Sequence, residues 1–518
     1  MRQIQTIVVI LTNIVMLATI AASVTDITAV ISPAFDALPP YIHWLEIRSD
    51  LTGDVQPGLL RSRFDGEVIY TLRSTAAGGS FGGGREERLA RLTRAASQYD
   101  LVDLEADTDL DTELLRQVPP AKRIVSWSGR SATRAALESA FERMSSIEAT
   151  LYRITPYVDD PRDAMEVLSF LASLERSDVL AFANGRSRHW TRLIAPHLGA
   201  PIIFSWMGDT VGPSGEPSVW RLRSDYGFPE MRRPTELFGI VGNPAFHSLS
   251  PRIHNAGHRS RNSPGLFVPF ETDGFERLWQ ELVESDALSS MGIQVRGLTV
   301  ASPYKEIALE CATRLSPAVE DARSANLLVR SGNEWIAETT DPDGIMSCLQ
   351  EAGVDPRGHN AAVIGCGGAG RPVALALSEA GARVTLVNRG MERGLLARKL
   401  LGLPFLPLSE FSPSPYSLIV NATPVGRDDG QSPFPLDEIS PNTVVVDLVY
   451  GSATTPLMAA ARAAGCPAID GRQILLAEVL CQFRLMSGME MPRDIAEEVL
   501  GFDPAFCACL ASSAQSVA

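Results

Sequence analysis

The run Gly365-Cys366-Gly367-Gly368-Ala369-Gly370 has the spacing of a turn that cradles phosphate. Glycines permit the tight bend and let backbone amides approach a pyrophosphate, and a helix N-terminus just beyond favours the anion. The pattern is weak alone, but residues 361–364 read as a strand before it and 372–380 as a helix after it, which is the context a dinucleotide site needs. The next strand, 383–387, ends in Asn388-Arg389, and Arg393 follows closely. An NAD site usually places a carboxylate there for the ribose 2′-hydroxyl. A guanidinium suits a 2′-phosphate, so the expected cofactor is NADP. Lysine occurs only at 122, 305 and 399 in a chain with 46 basic residues. A lysine within a motif is therefore conspicuous, because its acidity can be tuned and that of arginine cannot.

At 518 residues the chain needs more than one core. The first half alternates β-like runs at 15–20, 43–47, 68–72, 101–104, 123–127, 150–154, 179–182 and 201–204 with helical patterns such as 86–97, 135–144 and 161–174. That alternation predicts a (β/α)8 barrel. A turn-rich stretch at 208–217 and a linker at 226–234 follow, and a new strand begins at Leu237. The expected α/β organisation is a barrel over 1–230, a lobe of mixed strands and helices over 235–347, a Rossmann lobe over 348–490 whose last helix could return to the lobe before it, and a tail over 491–518.

The apolar fraction of 45% and charged fraction of 21% are those of a soluble globular chain. A net charge of -15 disfavours nucleic acid, so any anionic ligand must be held by local basic groups. The 7 cysteines all follow residue 300 without CxxC or metal spacing, which fits free thiols in a reducing cytoplasm and no metal site. The apolar run 7–22 has the length of a membrane span. Thr6, Thr12 and Asn13 and the lone Arg2 favour a buried first strand instead.

Further clusters accompany the glycine turn: Asn243-Pro244 through Ser248, Ser250 and Asn255; Ser302-Pro303-Tyr304-Lys305-Glu306; Thr340-Asp341; Asn421-Ala422-Thr423-Pro424-Val425-Gly426; Asp447-Leu448-Val449-Tyr450; Thr455-Pro456-Leu457; and Asp470-Gly471. In this order, over 237–488, they resemble shikimate dehydrogenase. The resemblance implies reversible reduction of 3-dehydroshikimate to shikimate by NADPH. It implies that Lys305 is the catalytic lysine and Asp341 its partner. It places Ser248, Ser250, Asn326 and Tyr450 at the substrate and Leu448 and Gly471 beside the nicotinamide. A homodimer is compatible with it. The chain departs from the family at Ala301, where a substrate-contacting threonine is usual, and at Glu478, where a glutamine is usual. Thr299 and Thr339 also stand where asparagine is common. These departures leave quinate open as a substrate, and a non-catalytic binding protein as a reading from another class.

Residues 14–225 resemble type I 3-dehydroquinate dehydratase through Leu45-Glu46-Ile47-Arg48, Thr71-Leu72-Arg73, Val102-Asp103-Leu104-Glu105 and Arg192. That family uses a lysine imine and a histidine. Here Arg153 aligns with the lysine and Ser128 with the histidine. Arginine is too poor a nucleophile for an imine and serine cannot shuttle the proton near neutrality. Lys122 is expected at the barrel end away from the usual active site. The resemblance therefore implies a barrel without dehydratase activity, whose Glu46, Arg48, Arg73 and Arg192 either hold an anion or form internal ion pairs. A working bifunctional enzyme is the alternative.

Overall fold

A computed structural model describes residues 15–501, apart from 17, 32–34, 36–37, 186–187, 209–211, 213–215, 428, 437 and 452. Much of the apolar run 7–22, most of the turn-rich 208–217 and most of the tail 491–518 lie outside the described residues. The chain divides into two compact units. The first comprises Met1–Leu237, Phe246–Ser248 and Pro264–Val295; the second comprises Phe238–Ala245, Leu249–Ser263 and Arg296–Ala518.

In the first unit, strands β1 (Thr19–Val24), β2 (Ile42–Arg48), β3 (Glu67–Thr71), β4 (Leu101–Glu105), β5 (Arg123–Trp127), β6 (Leu151–Ile154), β7 (Val179–Ala181) and β8 (Ile202–Trp206) form one 8-stranded sheet. Its order is 7-6-5-4-3-2-1-8, so the first strand joins the last and the sheet curls into a nearly closed barrel. The strand pairings described within it are parallel, as helical crossovers require. Every residue of β4 and β5 is buried. Leu101, Val102 and Leu104 in one, and Ile124, Val125 and Trp127 in the other, are the apolar residues that mark them as strands, and charged residues are buried among them. The first strand differs from expectation. Residues Val15–Met16 pair antiparallel with Glu230–Met231, and the barrel strand is the later segment Thr19–Val24. The unbroken apolar run carries no boundary signal, so the parallel register against Ile42–Arg48 and Ile202–Trp206 sets the strand. Residues 264–295 join this unit through contacts such as Trp190 against Phe270, with ring centroids 5.3 Å apart.

In the second unit, β9 (Glu236–Gly242), β10 (Gln294–Val300), β11 (Arg314–Leu315), β12 (Leu327–Ser331) and β13 (Glu334–Glu338) lie in one sheet in the order 9-10-12-13-11. A second sheet contains β14 (Asn360–Ile364), β15 (Arg383–Asn388), β16 (Phe405–Pro407), β17 (Leu418–Asn421), β18 (Val444–Asp447) and β19 (Ala468–Ile469). Its order is 16-15-14-17-18-19 and its pairings are parallel. This is the doubly wound arrangement in which ligands bind beyond the carboxyl ends of the strands.

The helices that matter for the site are α1 (Ser250–Ser260), α2 (Asp341–Glu351), α3 (Gly370–Glu379), α4 (Met391–Leu401), α5 (Gly471–Ser487) and α6 (Arg493–Leu500). Apolar residues of α1, α5 and α6 form one core cluster that includes Ile253, Leu475, Val479, Phe483, Ala496 and Leu500. The start of the stretch expected as a tail is thus an amphipathic helix packed on α1. No helix among the described residues is long and apolar enough to cross a membrane.

His189, His197, His254 and His258 are all at most 2% exposed. Burial holds each of them down to about 3, so they are neutral in the fold. Unfolding releases them to an ordinary imidazole near 6.5. The unfolded chain therefore binds more protons below that value, and stability is complete above it and falls as pH drops toward 3. The urea midpoint should decline steadily between neutral pH and pH about 5, and replacing His197 by phenylalanine should make that decline shallower.

Candidate functional site

Lys305 lies in the turn after β10, and Asp341 is the first residue of α2. Lys305 Nζ donates to both Asp341 oxygens at 2.8 Å. The side chains are 18% and 4% exposed, so the pair is largely out of water and the charge-assisted bonds are strong. The helix N-terminus further favours the aspartate anion. Three polar groups fix the approach to Asp341. Asn326 Oδ1 accepts from the Thr340 backbone N–H at 2.8 Å, and its amide donates to Thr340 Oγ1 at 3.0 Å. Gln482, from α5, donates to the same hydroxyl at 3.0 Å. Asn326 is thus placed at the site, and the structure turns its amide onto the chain that carries Asp341.

The glycine turn approaches the lysine directly. A Cβ on Gly368 would stand 2.6 Å from Lys305 Cβ, and Ser324 Oγ donates to the Gly368 carbonyl at 2.6 Å. Gly370 opens α3 so close to Gly365 that a Cβ would lie 1.8 Å from the Gly365 oxygen. The face at Gly367 is open, with nothing within 4 Å of where a Cβ would be. Cys366 is buried in the turn, and its backbone N–H donates to Asn388 Oδ1 at 3.2 Å, which ties the end of β15 to the loop. Ala369 is the residue before α3. A turn open on one face and leading into a helix N-terminus fits a pyrophosphate.

The two arginines expected near a 2′-phosphate differ. Arg389 is exposed and makes no hydrogen bond or ion pair among the described residues. Arg393 pairs with Glu306 at 2.5 Å, and Glu306 also receives Arg371 at 2.9 Å. Burial alone would push Glu306 up, but these guanidiniums hold it below the usual carboxylate range.

Tyr450 and Gly471 line a cavity of about 280 Å³ together with Gly451, Thr455, Asp470 and Arg472. Leu448 stands just before it, its N–H bonded to the Asn421 carbonyl at 3.0 Å. Asp447 is fully buried and accepts from Thr455 Oγ1 at 2.6 Å and Asn421 Nδ2 at 2.9 Å, which joins the two loops. Ala301 follows β10, and its N–H donates to the Val241 carbonyl at 2.8 Å. Ser250 is buried at the start of α1, and Ser248 is half-buried two positions earlier, in the first unit. Glu478, on α5, lies against Asp341. Thr340 and Glu306 stand in clusters that the sequence marks, but their contacts with Asn326, Gln482, Arg371 and Arg393 do not show there. Gln482 and Arg371 carry no local signal, because each acts through a contact distant along the chain.

In the barrel, Glu46 accepts from Ser23, Thr71 and Arg153 at 2.6, 3.0 and 2.5 Å. Burial raises its pKa, but Arg153, Arg48 and the Ser23 hydroxyl outweigh that and bring it down to about 2. Arg73 pairs with Asp103 at 2.6 Å and Arg48 with Asp50 at 2.8 Å. Arg153 also stacks on Phe204, its guanidinium 4.1 Å from the ring centre. Arg192 bonds the Phe204 carbonyl at 3.0 Å and covers Phe182; burial pushes its pKa down. Ser128 bonds Thr155 at 3.0 Å. Lys122 donates to the carbonyls of Ala96 and Tyr99, both at 2.9 Å, at the N-terminal end of β5.

Comparison with known proteins agrees with both halves. The family described as type I 3-dehydroquinase matches residues 14–232, and the shikimate dehydrogenase substrate binding domain matches residues 240–328. A protein named shikimate dehydrogenase (NADP(+)) from Syntrophobacter fumaroxidans is 33% identical over 266 residues, covering 50% of this chain and 89% of its own. The chain belongs to the shikimate dehydrogenase family. Its N-terminal half is a type I 3-dehydroquinase domain. A chloroplastic bifunctional 3-dehydroquinate dehydratase/shikimate dehydrogenase from Arabidopsis thaliana is 23% identical over 461 residues, or 84% of this chain and 75% of that protein. A solved shikimate 5-dehydrogenase from Thermus thermophilus, in complex with NADP(H) and shikimate, is 31% identical. It covers 51% of this chain and 98% of its own, with a TM-score of 0.47.

The clamp on Thr340 makes a stability prediction. Asn326→Ala strips a buried backbone N–H of its acceptor, which costs about 1–3 kcal/mol. Urea denaturation of the full chain should show a loss in that range, whereas Asn326→Asp, which keeps an acceptor, should lose less.

Proposed function

We propose that the second unit is an NADP-dependent shikimate dehydrogenase that interconverts 3-dehydroshikimate and shikimate. The observation that carries this reading is the Lys305–Asp341 pair set directly against the glycine turn at Gly368. When bound, NADP(H) supplies or accepts the hydride. Lys305 carries the proton: its ammonium donates to the oxygen that becomes an alkoxide on reduction, and its amine takes that proton back on oxidation. Asp341 holds the ammonium in place through both oxygens. Asn326, Thr340 and Gln482 hold Asp341's segment. Arg389 is the exposed cation that suits a 2′-phosphate, with Arg393 beside it. Ser248, Ser250 and Tyr450 are assigned to the substrate by resemblance. Ala301 contributes no hydroxyl, so substrate affinity rests more heavily on the remaining donors.

Purified protein given shikimate and NADP should show the absorbance of reduced cofactor, with slower turnover on NAD. Lys305→Ala should lower kcat/KM by about 10²–10⁴-fold, the usual size of a general acid–base contribution. Equal rates in the variant would remove the lysine from the chemistry, and turnover of quinate alone would move the assignment to that substrate.

The barrel reading is that it no longer dehydrates 3-dehydroquinate. Arg153 stands where the resemblance puts the imine-forming lysine, and it is committed to Glu46 and Phe204. Lys122 points its ammonium into carbonyls at the other end of the strands. Borohydride added with dehydroquinate should leave the protein's mass unchanged. A covalent adduct would instead support a bifunctional enzyme like the one from Arabidopsis thaliana.

A further inference from the structure

The surroundings of Lys305 hold one carboxyl more than the lysine pair needs. Glu478 projects from α5 toward the first turn of α2. A Cβ on Gly344 would lie 2.6 Å from Glu478 Cγ and 3.3 Å from its Oε1, so the bare backbone at 344 makes room for this stem. One turn earlier on the same helix is Asp341, and the Glu478 carboxyl is within hydrogen-bonding reach of it. Asp341 already accepts from Lys305 at both oxygens. Two carboxyl groups in such contact cannot both ionise cheaply, so one of them keeps a proton.

The surroundings decide which. Asp341 is chelated by the ammonium and stands at a helix N-terminus, and both favour its charge. Glu478 has neither advantage. Glu478 is half-buried, and its partial withdrawal from water disfavours the anion most; the Asp341 charge adds to that. Lys305 opposes these effects and Asp343 reinforces them, leaving Glu478 well above the usual carboxylate range. Cys348, the other titratable group that feels it, is itself pushed up to about 12 by burial and is neutral.

We propose that Glu478 is a positioning residue that works as a neutral carboxylic acid, donating a hydrogen bond to Asp341 and so fixing the carboxylate that orients Lys305. Resting on the dehydrogenase reading, this explains how a glutamate serves where the family resemblance places a glutamine. A carboxylic acid offers a carbonyl oxygen and one donor, much as an amide does. The site then carries one ammonium and one carboxylate, and a carboxylate substrate meets no excess negative charge. Ionisation of Glu478 at higher pH puts a second anion beside the pair. That anion repels a carboxylate substrate.

The test compares the full chain with Glu478→Gln. Because the acid is held neutral in the fold, wild-type stability is complete below the ordinary glutamate range and is lost as pH rises through the raised value. The variant should therefore match wild type in thermal stability in acidic buffer and exceed it increasingly in alkaline buffer. Infrared spectra at neutral pH should contain a protonated-carboxyl band that the variant lacks. For turnover of shikimate, KM in wild type should rise on the alkaline side, and the variant should lose that single-proton step. A stability difference that does not vary with pH, together with identical infrared spectra, would overturn the proposal. The stability and infrared measurements need no substrate, so they stand or fall separately from the shikimate assay.

Discussion

The second unit is organised by the need to keep one ammonium and one carboxylate together with little water around them. Such a pair is tolerable only when geometry and additional hydrogen bonds compensate for lost solvation. Lys305 comes from a turn and Asp341 from a helix start, so their meeting depends on everything that holds those two backbones. Asn326 and Gln482 converge on Thr340, the residue before Asp341. Ser324 ties the strand side of the lysine to the glycine turn. The same packing makes Gly368 obligatory, because any side chain would collide with Lys305 Cβ. The proton carrier and the phosphate turn are therefore placed by a single set of contacts.

The barrel answers a similar problem differently. Its interior holds at least as many charges, but the cations are arginines and most have carboxylate partners. Glu46, Arg153, Asp103 and Arg73 form a chain of pairs at 2.5, 3.5 and 2.6 Å. Guanidinium stays charged under all ordinary conditions and fits carboxylates with several donors. Such a network holds strands together, and its cations resist being converted into nucleophiles. Removing one member strands a buried charge, which is far costlier than never having had the pair. A lysine in place of Arg153 would leave fewer donors for Glu46 and no flat guanidinium to stack on Phe204.

Most of this fold was legible because its strands are short apolar runs separated by amphipathic helices. The spans at 123–127, 361–364 and 383–387 match their strands closely, since each is a short β-rich run bounded by turn or helix signals. The first strand was misplaced because the apolar run beginning at Ile7 gives no sign of where pairing starts. The glycine turn and its flanking arginines were visible as local patterns. Long-range partners were not: Gln482 reaches Thr340 across 142 positions, and Arg393 reaches Glu306 across 87. Residue type said that Arg393 could bind phosphate. Only the folded chain shows that a glutamate already shares it while Arg389 stays exposed.

Glu46 and Glu478 show why residue type and burial together still do not determine charge. Glu46 is buried and Glu478 half-buried, and in both the loss of water is the largest influence and favours the neutral acid. At Glu46 two guanidiniums and hydroxyl donors reverse the outcome and leave an anion. At Glu478 the nearby Lys305 is already spent on Asp341, so the second carboxyl meets an anion as its neighbour. A lysine can neutralise one carboxylate. A second carboxyl beside one already paired carboxylate is therefore pushed toward its neutral form, whereas the same group among guanidiniums stays an anion.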